Sequence, residues 1–231
     1  MGDVGIIKHP CNLKRSLANP AIRTRMVSHL LSVDNELAKK VADGLGLGEL
    51  PKPAEPARPV ITDLPASAPL SIVKNGPESF KGRKLGVLAA DGTDAKLLAA
   101  LKKAAMAEGA LVEFITPKVG GFKDSEGELH PAEQKVNGGP SVLYDAVALL
   151  LSADGAKLLA NEATAKDFVS DAFAHAKFFA YAETAKSLLD KAGVTPDEGV
   201  ILLKSADDAS AFIAQCRQLR LWRHELQVHA V

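Results

Sequence analysis

The stretch Leu85-Gly86-Val87-Leu88-Ala89-Ala90-Asp91-Gly92-Thr93-Asp94 decides the fold of this 231-residue chain. Its first six residues are apolar or glycine, which predicts a strand covered on both faces of a sheet. The next four predict a turn, and an alanine-rich helix is predicted from Ala95 to Glu108, where Gly109 ends it. The stretch is therefore the first strand–turn–helix unit of an α/β domain.

The same alternation continues to the C-terminal region. Four further strands are predicted at 111–116, 145–152, 178–182 and 200–203, and further helices at about 164–175, 184–192 and 206–219. Five strands in alternation with helices predict a doubly wound, mostly parallel five-stranded sheet. A hairpin is predicted around Asp124-Ser125-Glu126-Gly127.

The N-terminal third has a different character, because every aromatic residue lies at or after Phe80. Residues 19–47 predict two short helices, with Asn19 and Asp34 as their N-caps. Prolines then recur through 48–79, which predicts an extended arm that lies along a surface. We therefore divide the chain into a short helical segment (1–47), a Pro-rich linker arm (48–79) and an α/β domain (80–231). Two helices without an aromatic bury too little to stand alone, so they must dock on the later domain or on another chain.

Composition argues against several classes of partner. Lys+Arg and Asp+Glu are both 28, so there is no basic excess to favour nucleic acid. No apolar run reaches the length of a membrane span, and the N-terminus lacks a secretory signal. Two cysteines, Cys11 and Cys216, are too few for a disulfide framework and favour a reducing compartment. We expect a cytoplasmic protein with no nucleic-acid or membrane partner.

Ligands of open α/β sheets bind at the carboxyl ends of the strands, where Asp91-Gly92-Thr93-Asp94 lies. A phosphate loop needs several exposed amides, whereas one glycine between two carboxylates repels phosphate. Thr93 or Asp94 is therefore predicted to cap the following helix.

A second sharp strand-to-helix transition is Tyr181-Ala182-Glu183-Thr184. Such an elbow can hold a nucleophile, but Ala182 at that position has no reactive atom. Glu183 or Thr184 is predicted to cap the next helix. A hydrolase or glyoxalase-like activity at an Asp91/Glu183 cleft stays open, as does a mononucleotide bound at the same strand ends.

The remaining polar residues predict no catalytic, cofactor-binding or metal site. His9, Cys11, His224 and His229 lie near chain ends that are expected to be flexible, and His175 suits the C-terminus of a helix. Cys216 is predicted to be a buried small hydrophobe. A basic cluster near the C-terminus is formed by Arg217, Arg220 and Arg223 beside Trp222. We expect it to pair with carboxylates of a neighbouring subunit.

Several stretches together resemble the large-subunit haem catalases, in the order in which that family has them. The resemblance covers about residues 17–231 and is carried by 25–31 (Arg-Met-Val-Ser-His-Leu-Leu), 41–47 (Val-Ala-Asp-Gly-Leu-Gly-Leu), 70–72, 75–77, 80–84, 115–118, 138–147 and 219–223. It implies the C-terminal third of such an enzyme: the end of its helical region, a connecting arm and a flavodoxin-like domain similar to the class I glutamine amidotransferase-like superfamily.

The resemblance does not bring the family's catalytic residues with it. Catalases ligate haem through a Tyr in an Arg-x-Phe-x-Tyr context, and Tyr144 and Tyr181 lie in no such motif. The superfamily's elbow cysteine corresponds to Ala182. We therefore expect no haem or other cofactor. The expected role is non-catalytic, in structure, assembly or chaperone-like interaction. As partners we expect further copies of the chain or other protein subunits, held through the N-terminal arm. The alternative is a fragment of a haem catalase that decomposes hydrogen peroxide under oxidative stress; residues 1–16 do not match the family.

Overall fold

The structure is a computed structural model that describes residues 19–61 and 63–226. The chain divides into two compact units between Asn75 and Gly76. Among the described residues, no helix has both the length and the apolar character needed to cross a membrane.

The first unit contains the two predicted helices, α1 (Pro20–Leu30) and α2 (Asn35–Leu45). Both predicted caps are confirmed: the Asn19 side chain accepts a hydrogen bond from the Ala21 amide at 2.9 Å, and Asp34 accepts one from the Leu37 amide at 2.8 Å. Gly46 ends α2 at a φ of 68°, in the left-handed region that favours glycine. The helices share a small apolar cluster formed by Val27, Ala38, Val41, Ala42 and Leu45.

The linker arm has little regular structure. Its described residues include one 3₁₀ turn, Ala68–Leu70, and the Asn75 side chain closes this turn by donating to the Ala68 carbonyl at 2.7 Å. Ile61, Leu64 and Leu70 are 64%, 71% and 82% exposed. The arm therefore presents apolar side chains to solvent.

The second unit is built on a parallel sheet that contains all five predicted strands. These strands are β1 (Lys84–Ala89), β2 (Leu111–Thr116), β6 (Ala146–Leu150), β7 (Phe179–Ala182) and β8 (Val200–Leu203). They follow the spatial order β2-β1-β6-β7-β8, which is the flavodoxin-like order, so the predicted fold class is confirmed. A sixth strand, β5 (Gln134–Lys135), pairs in parallel with β2 at the edge of the sheet and is too short to predict.

The predicted hairpin is also present, as the separate antiparallel pair β3 (Phe122–Lys123) and β4 (Leu129–His130). It is attached to the turn after β1, since the Gly92 amide donates to the Lys123 carbonyl at 2.7 Å. The hairpin therefore lies beside the carboxyl end of β1.

Helices cover both faces of the sheet. Successive β1 residues point to opposite faces of the sheet. Val87 belongs to the apolar cluster on the first face, and Leu88 belongs to the cluster on the second face. The first face carries α3 (Ala95–Ala107) and α7 (Ala206–Cys216), and the second carries α4 (Ala153–Leu159), α5 (Ala163–Ala174) and α6 (Lys186–Lys191).

Gly86 shows why the deciding stretch contains a glycine. A Cβ at this position would lie 2.5 Å from Cγ of the buried Tyr144 ring, closer than side chains tolerate. The ring packs on the β1 backbone, and only a residue without a side chain leaves room for it.

Candidate functional site

A crevice opens at the point where the strand order of the sheet reverses. The chain passes from β1 to β2 on one side and continues with β6 on the other, so the carboxyl ends of β1 and β6 flank the position at which open α/β sheets bind ligands. The cavity has a volume of about 180 Å³. Its lining comes from the ends of β1 and β2, the hairpin and α4: Ala90, Asp91, Pro117, Lys118, Gly121, Phe122, Asp154, Gly155 and Leu158.

Asp91 is the predicted residue that reaches this crevice. Its carboxylate accepts hydrogen bonds from Lys118 Nζ at 2.6 Å and from the Lys123 amide at 2.9 Å. These bonds, the one from Lys118 foremost, lower the pKa of Asp91 below its usual value. The carboxylate is therefore an ionised, partnered group, unsuited to donate a proton at neutral pH.

The turn after Asp91 serves the fold. Asp94 accepts a hydrogen bond from the Leu97 amide at 2.8 Å, which confirms the predicted cap of α3. Thr93 is fully buried, and its hydroxyl donates to the Leu150 carbonyl at 2.6 Å, which ties the turn to the end of β6. Thr93 and Asp94 thus make hydrogen bonds within the fold, and the turn does not form a phosphate loop.

Glu183 does not join Asp91. It does not line the crevice, and β6 separates β7 from β1, which places the two strand ends about two strand spacings, ~10 Å, apart. The prediction that Glu183 or Thr184 caps the next helix is wrong. The chain leaves β7 through a 3₁₀ turn without a side-chain cap, and the Thr184 hydroxyl instead donates to the Leu151 carbonyl. The structure therefore does not assemble the Asp91/Glu183 cleft as one pair.

The cysteine and histidine predictions have mixed outcomes. Cys216 is buried as predicted, and burial raises the pKa of its thiol well above the usual value. His175 ends α5, as predicted. His224 does not lie in a loose end: it is buried, pairs with Asp197 and packs against the Phe173 ring, with 4.6 Å between ring centroids. The other predictions of this group lie outside the described residues: His9, Cys11 and His229.

The arginine cluster binds groups of its own chain, and its expected pairing with carboxylates of a neighbouring subunit stays a prediction. Arg217 makes two hydrogen bonds to the Glu108 carboxylate, at 2.9 and 2.7 Å, and so joins α7 to the end of α3. Arg220 donates to the Asp145 carbonyl at 3.1 Å. Arg223, the third residue of the cluster, pairs with the exposed carboxylate of Glu198 at 3.0 Å.

The sequence analysis did not predict a buried lysine. Lys177 is 2% exposed, and its Nζ donates to the carbonyls of Ser141 and Tyr144 at 2.5 and 2.6 Å. Burial, reinforced by the charge of Arg220, lowers the pKa of Lys177 to about 8. The one signal in the sequence is its position between apolar Ala176 and Phe178.

Sequence reasoning also missed most of the crevice wall. Lys118 was passed over, and α4 was not predicted although Ser152 caps it by accepting from the Gly155 amide at 3.1 Å. The pattern of a serine followed by Asp154 in the first turn was the available signal.

Comparison with known proteins adds the family. Residues 81–224 match the family described as the C-terminal domain found in long catalases. The chain is similar to "Catalase C" of Rhizobium meliloti (strain 1021), with 51% identity over 211 residues, covering 90% of this chain and 30% of that protein. It is also similar to "Catalase HPII" of Mycobacterium avium, with 33% identity over 222 residues, covering 88% of this chain and 31% of that protein. The chain thus spans less than a third of the length of these relatives.

Proposed function

The chain belongs to the family of C-terminal domains found in long catalases, and from this premise we propose that it is a non-catalytic module with a role in assembly. In this proposal the α/β domain is a self-contained fold. The first unit, with its helices and linker arm, provides the surface through which copies of the chain associate.

The described residues do not fit haem, the cofactor that the resemblance implies. A haem iron needs an axial Tyr, His, Cys or Met beside a cavity. Tyr144 and Tyr181 are buried in the core of the α/β domain, and none of the described residues that line the crevice at the sheet's switch point is of these four types. These observations support a module without peroxide chemistry of its own.

The exposed apolar side chains of the linker arm carry the assembly proposal. Ile61, Leu64 and Leu70 are each more than 60% exposed within 10 residues of chain. Apolar area contributes about 25 cal/mol per Å² when it is removed from water, so burying such side chains against another chain is favourable. Prolines hold the arm extended and remove amide donors, which suits a segment that lies along a partner's surface.

Light scattering on the full chain tests the assembly role. We expect a particle mass that is a multiple of 24.3 kDa, and a shift to the monomer when Ile61, Leu64 and Leu70 are all replaced by Ser. These side chains are already exposed, so the α/β domain should fold unchanged.

A matched control is available on the α/β domain. Met106, Val119 and Val142 are exposed to a similar extent, 62%, 78% and 62%, and replacing all three by Ser should leave the particle mass unchanged. A full chain that is already monomeric, or an arm variant that keeps the oligomer, contradicts self-association through the arm.

The alternative is a segment that works only within a longer haem catalase that decomposes hydrogen peroxide. In that case the arm stays uncovered until the remaining part of the enzyme is supplied, and the isolated chain is monomeric. The same experiment therefore separates the two. A chaperone-like interaction would use the same apolar arm, whereas the structure adds no observation that favours a hydrolase.

A further inference from the structure

The hairpin beside the crevice brings together three side chains that can bind a metal ion. Asp124, Glu128 and His130 each place one donor atom within 4.8 Å of the others. They lie within seven residues of chain, and the β3–β4 pairing, in which Phe122 faces His130, brings the ends of this segment together. None of the three residues lines the crevice that Asp91 reaches.

Asp124 is held in place by its own turn. One carboxylate oxygen, Oδ1, accepts hydrogen bonds from the amides of Glu126 and Glu128, both at 2.9 Å. The other oxygen, Oδ2, faces His130 Nε2 at 2.9 Å, and the Asp124 side chain is only 4% exposed. The backbone therefore fixes the carboxylate and leaves Oδ2 directed at the imidazole.

The imidazole of His130 is equally fixed. Its ring stacks on Phe122, with centroids 5.1 Å apart and planes at 24°, and Phe114 meets it edge-on at 5.8 Å. Its side chain is 14% exposed, so it is enclosed without being sealed from solvent. Glu128 is exposed and borders the open side of the cluster.

The hairpin is anchored to the turn after β1 and is tightly packed at its base. The Ser125 amide donates to the Thr93 carbonyl at 2.8 Å, and the Ala95 amide donates to Ser125 Oγ at 3.0 Å. At the base Gly121, with a φ of 96°, lies so close to the His130 carbonyl that a Cβ there would be 2.0 Å from its oxygen. A cluster on so constrained a hairpin needs little ordering to bind a ligand.

From this juxtaposition we propose that Asp124, Glu128 and His130 form a binding site for a divalent transition-metal ion such as Zn²⁺. One imidazole nitrogen and two carboxylate oxygens are donors that such ions accept, and Mg²⁺ or Ca²⁺ favours all-oxygen sets. Zn²⁺ ligands at about 2.0–2.2 Å lie about 3.4 Å from each other, so the pair formed by His130 Nε2 and Asp124 Oδ2 needs only a small separation to admit the ion. The imidazole binds as the neutral tautomer with its proton on Nδ1, and water completes the coordination on the open side.

The bound ion has a structural consequence. It replaces the hydrogen bond between Asp124 in the turn and His130 on β4 by three metal–ligand bonds, and so strengthens the hairpin whose Phe122 lines the crevice. The simpler account of the same residues is a His–Asp pair that braces the hairpin without metal, and the two accounts differ in a direct binding measurement.

The test is a calorimetric titration of the metal-stripped full chain with ZnCl₂, with MgCl₂ as the comparison. We expect Zn²⁺ to bind and to raise the melting temperature, and Mg²⁺ to do neither. Loss of a residue that only orients a ligand lowers metal affinity by about 10–100-fold, so E128Q and H130A should each lower Zn²⁺ affinity at least about tenfold. Glu128 is exposed, so E128Q gives a readout even if H130A fails to fold.

E126Q is the matched control, because it removes one negative charge from the same turn without removing a ligand. It should bind Zn²⁺ as the unaltered chain does. The proposal is overturned if the full chain binds no Zn²⁺, or if E128Q keeps the affinity of the unaltered chain. Zn²⁺ bound with equal affinity by H130A overturns it as well, and would assign the ion to other residues such as His9, Cys11 or His229.

Discussion

Replacing Lys177 by Met should change how the stability of the α/β domain depends on pH. The folded chain lowers the pKa of Lys177 to about 8, chiefly through burial, whereas an unfolded lysine titrates near 10.5. Between these two values the unfolded chain binds more protons, so the free energy of unfolding rises with pH. The lysine nevertheless stabilises the segment that it binds, because it satisfies the carbonyls of Ser141 and Tyr144.

The size of the effect follows from the two pKa values. One unit of pKa difference corresponds to about 1.36 kcal/mol, which gives a rise of about 2 kcal/mol in the free energy of unfolding between pH 7 and pH 9.5. K177M should lack this rise. Its stability at a single pH is a poor readout, because the substitution has two opposing effects. It leaves two buried carbonyls unpaired, at a cost of about 1–3 kcal/mol each, and it removes the cost of burying a charged group.

Urea unfolding followed by circular dichroism at several pH values between 7 and 9.5 measures this. The quantity to compare is the pH slope of the unaltered chain minus that of K177M, since all other titrating groups cancel in the difference. K103M, which removes an exposed lysine of α3, is the control and should keep the slope of the unaltered chain. Equal slopes for the unaltered chain and K177M would refute the reasoning.

Two further predictions concern packing and reactivity. Gly86→Ala should destabilise the domain by about 1–3 kcal/mol, because the added Cβ meets the ring of Tyr144. In a Tyr144→Leu background most of this cost should disappear. Additive effects of the two substitutions in a double-mutant cycle would contradict the contact. In a Cys11→Ser variant, Cys216 should resist a thiol reagent until the chain is unfolded in guanidinium, because burial raises the pKa of its thiol; rapid native labelling would contradict this.

The sheet could be predicted because its longer strands are mostly apolar, although the strand at 111–116 contains Glu113. Strands such as 85–90 and 146–150 need cover on both faces, and helical stretches follow the strands at the spacing of a doubly wound sheet. The two-residue strand β5 and the seven-residue helix α4 carry too few periodic residues to be recognised by pattern. The absence of α4 from the prediction also hid three of the nine residues that line the crevice, Asp154, Gly155 and Leu158.

The candidate sites depend on contacts that spacing does not encode. Glu183 and Thr184 looked like helix caps, but a 3₁₀ turn and a bond to Leu151 use that position differently. His224 is near the end of the sequence and yet is buried against Asp197. His130 was one histidine without a nearby helical partner, and only the register of the β3–β4 hairpin brings it to Asp124.

The central claim is that this catalase C-terminal domain is non-catalytic by itself. The most direct measurement is the absorbance spectrum and the peroxide turnover of the purified full chain after incubation with haem and removal of the excess. We predict no stoichiometric Soret band and no turnover above that of the same amount of free haem. A stoichiometric Soret band together with sustained peroxide turnover would contradict the account.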